Sequence, residues 1–159
     1  GTDVMAQFKN RSLAKVYWAL CSGVPEKDEF EQDCYLSEID QKTGMVRPVR
    51  SGGKPSRTTF KCLAKNKELG VSWIECYPET GRSHQIRVHL EMLGLPILGD
   101  KRYGAATKRN NVDKSVADLS ALHHMLHARS LQFLSAGEKV TVVAEPPPSF
   151  VALMKIITG

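Results

Sequence analysis

Most of the short motifs that identify a catalytic chemistry are missing from this 159-residue sequence. It has no GxxxxGKS and no GxGxxG, which argues against the phosphate-binding loops of nucleotide hydrolases and dinucleotide enzymes. It has no GxSxG elbow and no comparable cysteine setting, which argues against a serine or cysteine nucleophile. A function must therefore be sought in a less general pattern.

Cysteines are few and apolar runs are short. Cys21, Cys34, Cys62 and Cys76 form no CxxC pair and lie mostly in strand-like apolar runs, so we expect reduced core residues rather than disulfides or metal ligands. No run reaches the roughly 18 apolar residues of a membrane span, and no signal-peptide core is present. We expect a protein of the cytoplasm, or of an organelle, without a membrane partner.

Histidine is the remaining source of metal ligands, with five residues in the chain. His123 and His127 could share a helix face at i, i+4, but residues 128–134 resemble a strand and no HExxH is present. His84 and His89 lie about 140° apart around a helix and cannot grip one ion together. We predict no metal site.

The chain has enough apolar sequence for one core, and an excess of positive charge. Hydrophobic residues make up 42% of it, which fits a single domain over residues 1–159. Twenty-two Lys and Arg against 17 Asp and Glu give a net charge of +5, which favours a polyanionic partner.

Local patterns predict an α+β domain, a mixed and largely antiparallel sheet with flanking helices. We expect a strand at 15–22, in which Tyr17 and Trp18 point to opposite faces, one buried and one facing a groove. Two hairpins are expected, from 57–64 with 71–77 and from 128–134 with 140–144. Helices are expected at 2–11 and from a Ser149 cap through Ile157, with loops at 26–33, 41–55 (rich in basic residues and glycine) and 101–120.

Residues 79–103 concentrate the polar chemistry. Thr80 or Ser83 can cap a helix with apolar residues at i, i+4 and i+7, and Gly94 suits a left-handed helix end. Arg82 lies near the positive end of the helix dipole, a site suited to anions. Arg87 and Glu91 could form an i, i+4 surface ion pair, the simplest account of that arginine.

The same stretch reads T-G-R-S-H-Q-I-R-V-H from Thr80 to His89 and continues with Gly94, Pro96, Ile97, Gly99, Asp100 and Tyr103. It resembles the arginine motif of the RluA-type RNA pseudouridine synthases. Further segments resemble that family in the same order along the chain: Gln7-Phe8, 15–20, Gly53-Lys54-Pro55 with Thr58, 126–128 and 144–148.

The resemblance implies the fold of that catalytic domain and the isomerisation of a flipped uridine in ribosomal or transfer RNA, without a metal or organic cofactor. Tyr17 would lie beside the flipped uracil, and Arg87 would pair with the catalytic aspartate and keep it ionised. Arg82, His84, Lys54 and Arg57 are the candidate RNA contacts.

One part of the family pattern is absent: no H-R-L-D-x-x-T-S-G motif, which carries the nucleophilic aspartate, occurs in this sequence. Asp3 has none of that context and is not a substitute. The chain is then a piece of a longer, N-terminally truncated synthase, one part of a split enzyme, or a noncatalytic RNA-binding module. We expect it to be inactive alone and to self-associate through edges exposed by truncation.

Overall fold

The computed structural model describes residues 14–104, 112–121 and 123–159. Within these ranges, strands pack against short helices. The strands are β1 (Ala14–Ser22), β2 (Glu29–Leu36), β3 (Pro48–Val49), β4 (Lys54–Asn66), β5 (Val71–Pro78), β6 (Leu126–Ser135) and β7 (Glu138–Val143). The helices are α1 (Gln85–Met92), α2 (Lys114–Leu119) and α3 (Pro148–Thr158). The predicted helix at 2–11 lies outside the described residues.

The described strands form one seven-stranded sheet in the order β3-β2-β4-β5-β1-β6-β7, and each neighbouring pair is antiparallel. Both predicted hairpins are confirmed, β4 with β5 and β6 with β7. The second turns through Ala136 and Gly137 at φ values of 51° and 80°, the positive values that a two-residue hairpin turn of type I′ requires. β1 comes first among these strands in sequence, yet lies between β5 and β6.

The core lies on both faces of the central strands. Ala19, Leu20 and Cys21 are consecutive and all fully buried, so β1 is covered above and below. Helix α1 packs on β2, β4 and β5, whereas α3 packs on β1, β4 and β5. Phe150, Leu153 and Ile157 of α3 join this core, each contributing roughly 1.5–3 kcal/mol relative to an exposed side chain.

Two predicted loops are wrong in part. β2 begins at Glu29, within the acidic segment 26–33, because Glu29, Glu31 and Asp33 are exposed and alternate with the half-buried Phe30 and Gln32. The segment 41–55 contains β3 and the first two residues of β4. Charge concealed the strand pattern in the first segment, and charge together with glycine concealed it in the second.

The predicted surface excursion at 101–120 is also wrong in part, because residues 114–119 form α2. Asp113 caps this helix by accepting a hydrogen bond from the Ser115 N–H, and Val116 is fully buried. One buried side chain in a polar segment gives too weak a periodicity to predict a helix.

The helix ends correct three further expectations. His84, rather than Thr80 or Ser83, occupies the N-cap of α1. Pro147 replaces Ser149 at the N-cap of α3, with Pro148 at the first helical position, where a missing N–H costs nothing. Gly94 does adopt the predicted left-handed conformation, at φ 74°.

The remaining local expectations have mixed outcomes. Tyr17 and Trp18 are both half-buried, so the prediction that one of them is buried is wrong. All four cysteines are free. No described helix has the length and apolarity needed to cross a bilayer.

Candidate active site

A cavity of about 270 Å³ lies where the start of β1 meets the end of β5, the following loop and α1. Its walls include three basic side chains, Lys15, Arg82 and Arg87, together with Tyr17 and His84. Burial lowers the pKa of Lys15. The cavity thus combines an aromatic face with concentrated positive charge, which suits a planar base attached to an anionic backbone.

Arg87 of α1 is held by a carboxylate rather than by solvent. Its Nε donates to Asp100 Oδ2 at 2.8 Å, and its Nη2 donates to Asp100 Oδ1 at 2.9 Å. The side chain of Asp100 is 0% exposed and that of Arg87 13%. The bidentate pair uses one edge of the guanidinium and leaves Nη1 on the other edge.

The charges of this pair reinforce each other. Burial alone would raise the pKa of Asp100, but hydrogen bonds from Arg87 and from the backbone N–H groups of Tyr103 and Arg102 hold it below its ordinary value. The hydrogen bond to Asp100 raises the pKa of Arg87 in turn. Both groups are therefore ionised at neutral pH.

Asp100 reaches Arg87 because the segment before it joins the end of β1. Leu98 donates its N–H to Leu20 O at 2.9 Å and accepts from Met125 N at 2.8 Å. Gly99 then turns at φ 79°, and a Cβ there would lie 2.3 Å from the Ser120 carbonyl oxygen. Only glycine fits this close approach.

Tyr103 lies under the guanidinium. Its ring centroid is 4.9 Å from Arg87 Cζ, a cation–π distance. Its hydroxyl accepts a hydrogen bond from Val46 N at 2.8 Å and lies 2.7 Å from His84 Nδ1. Arg87 is thus fixed by Asp100 at its edge and Tyr103 at its face.

A buried polar chain supports the loop that carries Arg82. Gln85 Oε1 accepts from Thr80 Oγ1 at 2.6 Å and from Arg82 N at 3.1 Å, while Gln85 Nε2 donates to Thr58 Oγ1 at 2.9 Å. Thr58 Oγ1 lies 2.8 Å from His89 Nδ1, and His89 Nε2 lies 2.9 Å from Ser56 Oγ. Burial lowers the pKa of His89 to about 4.

The sequence-predicted residues divide into two groups. Tyr17, Arg82, His84 and Arg87 all line the cavity, although β1 and α1 are far apart in sequence. Lys54 is exposed at the start of β4 and does not line it.

Arg57 also lies outside the cavity lining and faces three carboxylates. Its Nε donates to Glu79 at 2.8 Å, its Nη1 lies 3.4 Å from Asp33, and its Nη2 pairs with Glu31. These carboxylates more than offset its charge, and an RNA contact by Arg57 stays a prediction.

The sequence also offers two simpler interpretations, a surface ion pair between Arg87 and Glu91 and a metal site formed by histidines. The described residues contain no ion pair between Arg87 and Glu91, because the guanidinium faces Asp100 instead. They also contain no cluster of three or more His, Cys, Asp or Glu side chains that could hold a metal ion.

Sequence reasoning did not assign roles to Asp100, Tyr103, Lys15 or Gln85. Asp100 and Tyr103 stand in the quoted motif, but no local spacing rule pairs residues 87 and 100 across a helix end and a turn. For Lys15, the alternation with Tyr17 on one strand face was an available signal.

Comparison with known proteins gives a consistent result. A family model described as RNA pseudouridylate synthase matches residues 2–92. An uncharacterized RNA pseudouridine synthase of Zymomonas mobilis is 40% identical over 142 residues, covering 88% of this chain and 59% of that protein. The ribosomal large subunit pseudouridine synthase C of Vibrio cholerae is 32% identical over 147 residues, covering 90% of this chain and 43% of that protein. The chain spans about half the length of these relatives.

Solved structures agree with the fold. Human RNA pseudouridylate synthase domain containing 1 superposes with a TM-score of 0.74 at 29% identity, covering 95% of this chain and 62% of that one. Human RNA pseudouridylate synthase domain containing 4 gives a TM-score of 0.76 at 28% identity, covering 98% and 66%. These matches confirm the predicted α+β fold.

Proposed function

The chain belongs to the RNA pseudouridine synthase family, and we propose that it supplies the tyrosine and arginine side of a site that isomerises uridine to pseudouridine in RNA. The observation that carries the proposal is the meeting of Tyr17 and Arg87 at one cavity with a basic lining. The net charge of +5 is consistent with a polyanionic substrate.

The isomerisation breaks the bond between uracil N1 and the ribose and forms a bond from uracil C5 to the same carbon. The proton on C5 is released, N1 gains one, and no electron is transferred. A flipped uracil needs a flat surface, which the ring of Tyr17 offers, and a nucleophilic carboxylate needs a cation to keep it ionised, which Arg87 offers.

Arg87 is suited to serve a second carboxylate. Asp100 occupies Nε and Nη2, and no described residue accepts from Nη1, which can therefore donate toward an aspartate in the cavity. Asp100 itself is a poor nucleophile, because it is buried and already accepts hydrogen bonds from both Arg87 nitrogens and from the backbone N–H groups of Arg102 and Tyr103. We therefore assign Asp100 the role of positioning Arg87.

The proposal includes the inactivity of these 159 residues alone, since the sequence has no H-R-L-D motif. The test is tritium release from RNA labelled at uridine C5. The chain alone should release none, and clear turnover without added protein would refute this part of the proposal.

In an enzyme that joins this chain to an H-R-L-D segment, Arg87→Ala and Tyr17→Ala should each lower kcat by roughly 100-fold or more. Circular dichroism should show that both variants fold. Lys139→Ala, at the exposed start of β7, is the matched control for loss of a charge and should retain activity. Wild-type turnover in either site variant would show that its role is wrongly assigned.

The substrate class is structured RNA. The Vibrio cholerae relative is named for the large ribosomal subunit, which favours ribosomal RNA over transfer RNA for this chain. Arg82 and His84 are the proposed RNA contacts within the cavity, and the cytoplasm or an RNA-containing organelle is the proposed location. RNA binding without turnover in the joined enzyme would instead favour a noncatalytic RNA-binding module.

A further inference from the structure

His84 has a backbone conformation that few non-glycine residues adopt. It occupies the N-cap of α1 at φ 56° and ψ 17°, in the left-handed region, and makes no side-chain capping hydrogen bond. Glycine or asparagine adopts this conformation with less strain. Such an outlier at a cavity wall suggests that the side chain is needed for another purpose.

The hydrogen bonds around Tyr103 determine where His84 carries its proton. The N–H of Val46 donates to the Tyr103 hydroxyl oxygen at 2.8 Å. The one phenolic hydrogen is therefore available for His84 Nδ1, at 2.7 Å, and Tyr103 has no other hydroxyl acceptor among the described residues. This geometry favours His84 Nδ1 as the acceptor, and the neutral ring then carries its hydrogen on Nε2.

The electrostatic surroundings favour this neutral form. Burial lowers the pKa of His84, and the cationic side chains of Arg87 and Arg102 lower it further. His124 acts in the same direction, and among the described residues Asp100 is the one facing charged group that opposes this shift. The imidazole is thus a neutral donor at physiological pH rather than a fourth cation beside Lys15, Arg82 and Arg87.

Nε2 of His84 makes no hydrogen bond to any residue that the structure describes. The side chain nevertheless lines the cavity, whose three basic residues select an anion. We propose that His84, fixed in one tautomer by Tyr103, donates from Nε2 to a phosphate oxygen of bound RNA. This inference rests on the proposed function for its ligand, whereas the tautomer follows from the protein alone.

Nitrogen-15 NMR of the chain tests both parts. In the free protein at neutral pH, His84 should show an unprotonated Nδ1 and a protonated Nε2, with its signals identified by their loss in His84→Asn. Protonation on Nδ1, or on both nitrogens, would overturn the tautomer. Tyr103→Phe should weaken this preference.

Ligand titrations then identify the acceptor. Uridine 5′-monophosphate and a short oligouridylate should shift the Nε2 signal, and uridine without phosphate should not. A shift with uridine alone would overturn the phosphate assignment. Normal oligouridylate binding with an unmoved Nε2 signal would refute only the hydrogen bond from His84 to phosphate. The absence of any RNA binding would refute the proposed function and, with it, RNA as the ligand of His84.

Two variants separate binding from folding. His84→Gly suits the positive φ but removes both the Nε2 donor and the acceptor of the Tyr103 hydroxyl, so it should weaken oligouridylate binding roughly 5-fold while circular dichroism shows that the fold is kept. His84→Asn tolerates the same φ, retains an N–H donor and should recover part of the affinity. Equal affinity in His84→Gly and wild type would overturn the proposal.

Discussion

His89 should make the stability of this domain depend on pH in a defined window. The side chain is 0% exposed and lies between two hydroxyl groups. Ser56 Oγ donates to the Cys34 carbonyl oxygen at 2.7 Å, so it accepts from His89 Nε2. Thr58 Oγ1 accepts from Gln85 Nε2 and therefore donates to His89 Nδ1. A second proton, on Nδ1, would remove the acceptor of the hydrogen bond from the Thr58 hydroxyl.

The sign and size of the effect follow from the two pKa values. Burial lowers the pKa of His89 from 6.5 to about 4 in the folded state, so the unfolded chain binds more protons between these values. The free energy of unfolding should therefore fall as the pH falls through this window, by about 1.4 kcal/mol per pH unit. The total contribution of His89 is about 3 kcal/mol.

The assay is urea unfolding followed by the fluorescence of Trp18 and Trp73, at about pH 7.5 and about pH 4.5, where His89 should account for a loss of roughly 2–3 kcal/mol. His89→Gln removes the ionisable group and should lose that part of the pH dependence. A residual slope is expected because the pKa values of His84 and His124 are also lowered. His123→Gln, at an exposed position, is the matched control. An unchanged slope in His89→Gln would refute the buried neutral histidine.

Two further predictions concern the Arg87 pair and the sheet edge. Asp100→Asn leaves a nearly buried guanidinium without its counterion and should lower the free energy of unfolding by about 3 kcal/mol. The double variant Asp100→Asn, Arg87→Met should recover part of this loss. Additive losses from the two substitutions would contradict a direct pair. The outer strand β7 exposes Val142 and Val143 at 53% and 54%, so the chain should self-associate with rising concentration in light scattering, and Val142→Lys should reduce this. Monomeric wild type at all concentrations would contradict the second prediction.

The parts of the fold that sequence predicted correctly are those with a local cause. The hairpin of β4 and β5 is defined by two strand-like runs and a polar turn. Gly94 ends α1 as predicted because the Leu95 N–H then reaches Leu90 O at 2.8 Å and the Gly94 N–H reaches Glu91 O at 3.0 Å. The sequence does not predict β2, because its inward-facing residues Phe30 and Gln32 differ in polarity and its acidic residues are typical of a loop.

The helix start shows a different limit. Thr80 and Ser83 have the right side chains for a cap, but the Thr80 hydroxyl donates to Gln85 Oε1 and its oxygen accepts from the N–H of Arg57 at 3.0 Å. Thr80, a predicted cap residue, therefore links β4 to the loop before α1 instead of capping the helix. A capping preference of about 1 kcal/mol is readily outweighed by a buried network of several hydrogen bonds.

The site shows why arginines cannot be ranked by sequence alone. Arg57 and Arg87 both carry one positive charge and both lie near a predicted polar segment. Arg57 meets three carboxylates, and two of them come from β2, a segment that the sequence predicts to be a loop. Among the described residues, Arg87 meets one carboxylate, because residues 95–98 join the end of β1 and place Asp100 against a single edge of the guanidinium. Strand pairing over long sequence separations determines how many carboxylates each arginine meets. The charge of Arg57 is already compensated by its three carboxylates, whereas Arg87 keeps one nitrogen for a further partner.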